Sequence, residues 1–315
     1  MCLPLRTIKK DTSDSLSLEW MLQIKNYKLT LDKTRCTGCQ ICTLACPKQA
    51  IRTERQRNAP GEKVQKVRID IDLGKCNFCG ICDILCPFGA IKLAIDGKHM
   101  LSVVDKKSFP TLARKIQVNS QKFTGDLAEA KEACPLGLIN ATYLTSDGKP
   151  VQDPQMLDEP ERSWVHSNIQ IDTEHCPCCK MCETKLPLGA VQVHKFLSGK
   201  ITIHQSKCPL NCTDCIDVCP IPGTLSTLKA DDKVYVNEAF CVYCGACKNV
   251  CPIEDALEVK RTRINHSSIH SGAWNKALER LTSSTNMTKE LKTKGSARAR
   301  ESVMRRMRLE VEQRA

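Results

Sequence analysis

Apolar and polar residues alternate in short runs along this chain, and five of those runs end at a cysteine. YKLTLDKTRC, VRIDIDLGKC, IQIDTEHC, ITIHQSKC and VYVNEAFC each predict a short strand whose apolar side chains share one face. Six further segments, CPKQAI, CPFGAI, CPLGLI, LPLGAV, CPIPGTL and CPIEDALEV, predict a sharp turn into a short apolar helical turn and a second strand. Proline at the second position fixes its own φ and restrains the residue before it, which suits so abrupt an entry. Strand, loop, turn and strand recur about every forty residues once insertions are set aside, giving six half-units from Tyr27 onward.

Between strand and turn lie the cysteines. Residues 36–47 read CTGCQICTLACP and residues 76–87 read CNFCGICDILCP, both C-x2-C-x2-C-x3-C-P. Three thiolates at steps of three residues sit on one tight loop and reach three corners of one iron–sulfur cube. This resembles the run with which bacterial-type ferredoxins hold [4Fe–4S] clusters, the fourth cysteine serving the cluster of the partner run. Two interlocked clusters are therefore expected: Cys36, Cys39, Cys42 and Cys86 for one, and Cys76, Cys79, Cys82 and Cys46 for the other. Zinc sites use paired cysteines, or cysteine with histidine, and do not call for a third cysteine at equal spacing before Cys-Pro. Gly38, Gly80 and Gly245 lie inside such loops, where backbone passes close to a cube.

Two half-units depart from the pattern in complementary ways. LSVVDKKSF (Leu101–Phe109) is similar to the strand leading to Cys36, with Phe109 where the first cysteine would stand, and no cysteine follows until Cys134. Between them GDLAEAKEA predicts a helix with Asp126 near its cap and Leu127 as its apolar contact. The next half-unit keeps Cys176, Cys179 and Cys182 but has Leu186 before Pro187. Cys134 is expected to complete the Cys176, Cys179 and Cys182 set; the partner cluster, short of all four ligands, is expected to be missing. Cys178 has a spacing to Cys182 that lets it compete for a corner, but it reads as a free thiol because Cys176 carries the proper strand. The last pair is intact: Cys208, Cys212 and Cys215 with Cys251, and Cys241, Cys244 and Cys247 with Cys219. Five [4Fe–4S] clusters are predicted.

The expected organisation is an N-terminal arm (1–26), a two-cluster domain (27–97), a one-cluster domain with insertions (98–196), a two-cluster domain (197–262) and a basic helical docking tail (263–315). In the arm, LSLEWMLQI predicts a short helix after an Asp14 cap, and Cys2 reads as a free thiol. The segment from Ser146 to Ser163, rich in Asp, Pro and Glu, predicts a surface loop. In the tail, Trp274, Leu278 and Leu281 share a helical face after Ser271, and Val303, Met307 and Val311 form a second stripe after Gly295 and Ser296. Either stripe suits a groove on a partner subunit, the plainer alternative being a solvated basic helix.

Composition narrows the chemistry. Aromatic residues make up 4% of the 315, poor material for one large core, but there are 22 cysteines. Iron–sulfur cubes can stand in for core in domains of about sixty residues. A disulfide framework would need an oxidising compartment, whereas MCLPLRTIKK has no apolar leader and no run of about eighteen apolar residues occurs. A soluble, cytoplasmic protein is expected. The formal charge is +12, with 14 Lys and Arg against 5 Asp and Glu from residue 260 to 315. Five oxidised cubes at about −2 each would offset most of it. Nucleic-acid binding is disfavoured because aromatic residues for stacking are nearly absent among the basic ones. His175 and His204 lie near cysteine loops and read as surface histidines. An enzyme of the radical-initiating kind would need a cube with an open iron, and each assigned set has four cysteines.

Six ferredoxin-type half-units, five of which keep a cysteine loop, resemble the polyferredoxins across about residues 27–262. The resemblance implies an α+β fold class: tandem ferredoxin-like two-cluster iron–sulfur domains of short strands and helices, plus a C-terminal helical tail. More narrowly, the degenerate internal unit and the tail beginning SGAWNKALERLTS resemble the polyferredoxin subunit of tungsten or molybdenum formylmethanofuran dehydrogenase, an enzyme of methanogenesis. Members of that group carry four cluster pairs where this chain has three. The resemblance implies relay of low-potential electrons between another electron carrier and the redox enzyme subunits, with no substrate site on this chain, no nucleic acid and no direct membrane insertion. A polyferredoxin of an energy-converting hydrogenase is the alternative.

Overall fold

The period-two alternation at the N-terminus prevails over the Asp14 cap signal. In SLSLEWM the apolar residues fall on every second position, so an extended chain can bury Leu16 and Leu18 together while Ser17 and Glu19 stay at the surface. The computed structural model, which describes residues 5–54, 64–123, 125–151, 158, 165–209, 211–227, 233–269 and 271–282, accordingly has strands here and not the expected helix. β1 (Arg6–Asp11) and β2 (Ser15–Met21) form a hairpin that adds to β3 (Asn26–Asp32), with Leu18 opposite Leu29 and Leu16 opposite Leu31. The N-terminal residues are therefore the edge of the first unit's sheet and not a separate arm. Cys2 lies outside the described residues.

The first unit continues with α1 (Ile41–Ala45), β4 (Ile51–Glu54), β5 (Arg68–Ile71), α2 (Ile81–Leu85), β6 (Ile91–Ile95) and β7 (Lys98–His99). Its outer strands β3 and β6 pair antiparallel, and so do its inner strands β4 and β5. The sheet order β1-β2-β3-β6-β7 lays Leu16, Leu18, Leu29, Leu31, Ile91 and Leu93 into one core.

The middle unit repeats the nesting, but not from the residues expected. Leu101 begins a single helical turn, α3 (Ser102–Asp105), where a strand was expected. Val103 and Val104 are adjacent and both pack against the core, which an alternating strand cannot arrange; the Leu101 carbonyl accepts the N–H groups of Val104 and Asp105. The outer strand is instead β8 (Lys115–Val118), followed by a 3-10 turn at Ser120–Lys122 and α4 (Leu127–Glu132), capped by Asp126, whose carboxylate accepts the Ala128 N–H at 3.2 Å. β9 (Ile139–Leu144), β10 (Pro150–Val151) and β11 (His166–Ile171) form the inner sheet, with Ile139 opposite Ile171. α5 (Met181–Lys185) and β12 (Val191–His194) close the unit, β12 pairing with β8. β10 falls within the segment read as a loop; residues 152–157 and 159–163 of that segment lie outside the described residues.

The last unit has β13 (Leu197–Ile203), α6 (Asp214–Asp217), β14 (Leu225–Thr227), β15 (Val234–Val236), α7 (Ala246–Val250) and β16 (Leu257–Ile264), again with outer and inner antiparallel pairs. β16 runs through residue 263, so the tail begins later than its composition suggests. The units pack on one another: His175 of the middle unit sits against Gly89 of the first, where an added Cβ would lie 2.5 Å from the imidazole. Gly89 has φ +61°, so this close approach needs glycine on both counts. Lys92 of the first unit is ion-paired with Glu174 of the middle unit.

The tail's first stripe does not face water or await a partner. α8 (Gly272–Thr282) folds back onto the chain and buries Trp274, Ala277 and Leu281. Trp274 meets Phe109 edge-on at 5.2 Å, and its indole N–H donates to His266 Nε2 at 3.1 Å. The helix also packs against α1 and β16, so one short element touches all three units. The Ser271 hydroxyl donates to the Ser108 carbonyl at 2.7 Å. The stripe of Val303, Met307 and Val311 lies outside the described residues. Trp274→Ala removes a fully buried indole and is expected to destabilise the protein by about 3–5 kcal/mol, whereas Lys276→Ala on the exposed face should change stability by less than about 0.5 kcal/mol. Thermal unfolding of the two variants measures the difference.

Candidate iron–sulfur centres

Four of the short helices are each preceded by a loop with an unusual backbone. Gln40, Gly80, Lys180 and Gly245, immediately before α1, α2, α5 and α7, are left-handed, and so are Gly38, Phe78, Cys178 and Tyr243 two residues earlier. A non-glycine residue held there costs on the order of 1–2 kcal/mol. The conformation turns main-chain N–H groups toward sulfur. Cys178 and Tyr243 donate to the Sγ atoms of Cys176 and Cys241 at 3.4 Å, and Gly38 and Phe78 serve Cys36 and Cys76 likewise. The Cys-Pro turns do the same from the other side: Ala50, Ala90 and Leu138 donate to the Sγ atoms of Cys46, Cys86 and Cys134 at 3.3, 3.2 and 3.4 Å. Cys134, isolated in sequence, thus has the local geometry of Cys46 and Cys86. The loop before α6, with its extra residue, differs, Thr213 having φ −113°.

The thiols gather in five groups. Cys36, Cys39 and Cys42 each feel the charge of Cys86, and Cys76, Cys79 and Cys82 that of Cys46. Cys179 and Cys182 face Cys176 and Cys134. Cys208, Cys212 and Cys215 face Cys251, and Cys241, Cys244 and Cys247 face Cys219. Cys36, Cys39, Cys42 and Cys86 wall one cavity with Ile41, Ile69 and Ile91; Cys219, Cys241, Cys244 and Cys247 wall another with Ile201 and Val259. Among the described residues no three His, Cys, Asp or Glu side chains are gathered closely enough to hold a single metal ion.

Burial is the main influence on these thiols and pushes them up, Cys76 and Cys179 to about 11 and Cys182, Cys215 and Cys244 to about 12, with neighbouring thiols adding to the effect. Crowded thiols in an apolar wall stay protonated until a cation displaces their protons, so such a site suits a thiolate-bound metal cluster. Cys176 is the exception, held below the ordinary thiol range first by a hydrogen bond from the Cys178 thiol. Cys178 is fully buried, raised for the same reason, and occupies the left-handed position of Phe78 and Tyr243, with its own N–H on Cys176.

Where the middle unit lacks cysteines, side chains fill the space. Ala130 precedes Cys134 by four residues as Cys42 precedes Cys46, and Leu127 stands where Cys39 does. Ala130, Phe123 and Leu186 are 0%, 5% and 6% exposed and share one core, with Leu127 packed on it. Phe109, expected at a lost cysteine position, instead packs on Trp274.

Residues 35–90 match the family described as 4Fe-4S dicluster domain. The chain is 32% identical over 97 residues to the ferredoxin-type protein NapH of Haemophilus influenzae and 30% identical over 104 residues to the polyferredoxin-like subunit of the aliphatic sulfonate oxidoreductase of Pyrococcus furiosus. Those matches cover 30% and 29% of this chain, but only 32% and 56% of the relatives' lengths. Over 90% of its length the chain superposes on 93% of a chain in the formate dehydrogenase–heterodisulfide reductase–formylmethanofuran dehydrogenase complex of Methanospirillum hungatei, with a TM-score of 0.72 and 27% identity. The family match thus falls on residues 35–90, while the structural likeness extends over 90% of the chain.

Several residues that shape these centres had no signal in the cysteine pattern. Asp83 and Glu183, each one residue past a third cysteine, accept the N–H of Leu93 at 2.7 Å and of Val193 at 3.0 Å, tying helix to closing strand. An acidic residue at that position in two runs was there to be noticed. Arg114, Lys195 and Arg261 approach the loops from distant positions and were not. Of the two histidines, His175 bonds Asp172 at 2.6 Å, and His204 lies 4.0 Å from Glu258. Leu186→Ala should open a cavity in the refilled site and cost about 2–5 kcal/mol in denaturant unfolding, while Leu186→Cys should add no iron, since Phe123, Leu127 and Ala130 offer no ligand.

Proposed function

We propose that the chain is a five-cluster electron relay. The ligand sets are Cys36, Cys39, Cys42 and Cys86 (first); Cys76, Cys79, Cys82 and Cys46 (second); Cys134, Cys176, Cys179 and Cys182 (middle); Cys208, Cys212, Cys215 and Cys251 (fourth); and Cys219, Cys241, Cys244 and Cys247 (fifth). The observation that carries the reading is that every three-cysteine loop is faced by a fourth thiol from the opposite Cys-Pro turn. A bound [4Fe–4S] cube supplies reversible one-electron storage. The protein's part is to exclude water with apolar walls and to direct main-chain N–H groups at the cysteine sulfurs, stabilising the more negative reduced state. Cys178 is no ligand in this assignment; its hydrogen bond steadies the Cys176 sulfur.

The relay serves a larger redox assembly in the cytoplasm, passing low-potential electrons between a second carrier and catalytic subunits of the formylmethanofuran dehydrogenase kind. Similarity over 90% of the chain to a chain from a complex bearing that name supports this placement, as does the polyferredoxin-like relative. No helix among the described residues is long and apolar enough to cross a membrane. Anaerobically reconstituted protein should contain about 20 iron atoms per chain, five cubes of four, and Cys134→Ala about 16. Twelve or fewer in the unaltered chain rules out five clusters. An unchanged cubane EPR signal in Cys134→Ala rules out the middle set as assigned.

A further inference from the structure

The five thiol groups do not follow one another in the order of the units. The Cys39 side chain of the first set packs in the same core as Cys244 of the fifth. The two loops abut: Asn249 Nδ2 donates to the Gly38 carbonyl at 3.0 Å, and an added Cβ on Gly245 would stand 3.9 Å from the Cys39 carbonyl. The first set adjoins the second where α1 packs on α2, and the fifth adjoins the fourth where α6 packs on α7. Second, first, fifth and fourth sets thus form an unbroken row across the outer units. The middle set lies beside that row.

A cation marks each approach among the three central sets, Arg261 buried and Arg114 and Lys195 half-buried. Arg261, 8% exposed on β16, donates to the Tyr243 carbonyl at 2.8 Å, to the Cys244 carbonyl, and to the Leu281 carbonyl at 3.4 Å. Its charge acts on Cys39 and on Cys241, Cys244 and Cys247. Arg114 donates to the carbonyls of Cys86 at 2.8 Å and Pro87 at 3.4 Å, and its charge also reaches Cys176. Lys195 donates to the carbonyls of Glu238 at 2.7 Å and Cys241 at 2.8 Å, and its charge acts with Cys241 and Cys179. A buried guanidinium bonded to carbonyls alone is costly unless negative charge lies close by. Two cubes at about −2 each, on either side of Arg261, would supply it.

Resting on the cluster reading above, we propose that electrons pass directly between the outer units across a junction that Arg261 positions and tunes, with the middle cluster a branch off this junction and not a link in the row. Arg261 acts without touching a transferred group: it fastens the Cys244 loop beside the Cys39 loop, and its positive charge favours the reduced state of both cubes. It also ties the junction to α8, whose last turn supplies the Leu281 carbonyl, so the internal clasp and the electron path share one side chain. The middle set, reached past Arg114 and Lys195, is placed to exchange electrons with either neighbour.

Potentiometric EPR titration of the reconstituted full chain tests this, using Arg261→Met, Arg261→Lys and Cys134→Ala with iron counted in each. Arg261→Met should lower the midpoint potentials of two cubes only, by a tenfold or greater change in reduction equilibrium, about 59 mV for one electron. Arg261→Lys should shift the same two by less. In Cys134→Ala, which removes the middle cube, the magnetic broadening between those two reduced cubes should persist. Potentials unchanged in Arg261→Met at full iron content overturn the tuning role. Loss of that broadening with the middle cube overturns the direct junction, and this measurement stands even if Arg261→Met fails to fold. An unaltered chain with far fewer than about 20 iron atoms and no cubane signal overturns the cluster reading itself, and the junction with it.

Discussion

Each three-cysteine loop in this protein is one thiol short, and the missing thiol faces it from the Cys-Pro turn of a different half-unit. Most of the remaining structure follows from that constraint. Two loops and two turns must meet back to front, so the strands flanking them pair as an outer and an inner couple, with β3 and β6 around β4 and β5 in the first unit. The helices between thiols are single turns because the third and fourth cysteines must point in different directions. Phe78, Lys180 and Tyr243 accept left-handed backbone because the compensating gain, main-chain N–H groups aimed at sulfur, is concentrated in the same loops.

The middle unit shows how the framework persists with one site lost. β8 and β12 still pair, and so do β9 and β11, although the half-unit between β8 and Cys134 has no cysteine loop. Ala130, Phe123 and Leu186 occupy the position instead, so packing takes over the cross-linking role that thiols and iron would otherwise share. Cys134 keeps its sulfur-directed N–H from Leu138 and faces the thiols of Cys179 and Cys182.

Three such units would be separate beads without something to hold them. α8 supplies part of it, setting Trp274 against Phe109 and lying on α1 and β16 together. The cations at the cysteine loops supply the rest. Arg261 spans a cysteine loop and the end of α8, and Arg114 reaches the first unit's Cys-Pro turn from the middle unit. Cations where the cysteine loops approach one another offset the negative charge that thiolates there would carry.

The repeat, the strand leading to each cysteine loop and the Asp126 cap were legible along the chain, because each is a matter of near neighbours: cysteine spacing, period-two alternation and proline φ act within a few residues. The LSVVDKKSF strand was misread for want of that locality, since only β12 decides that Lys115–Val118, and not Leu101–Phe109, has a pairing partner. SLSLEWM carried its own answer in its alternation, but the Asp14 cap signal pointed the other way until β3 offered an edge. The apolar stripe of Trp274, Leu278 and Leu281 defined a helix; period alone does not say whether such a stripe covers the chain's own core or another protein's. Arg261 lies far in sequence from Cys39, and no spacing rule joins them. Their meeting is a product of packing three units against one helix, because burial and charge act through space while sequence patterns act along the chain.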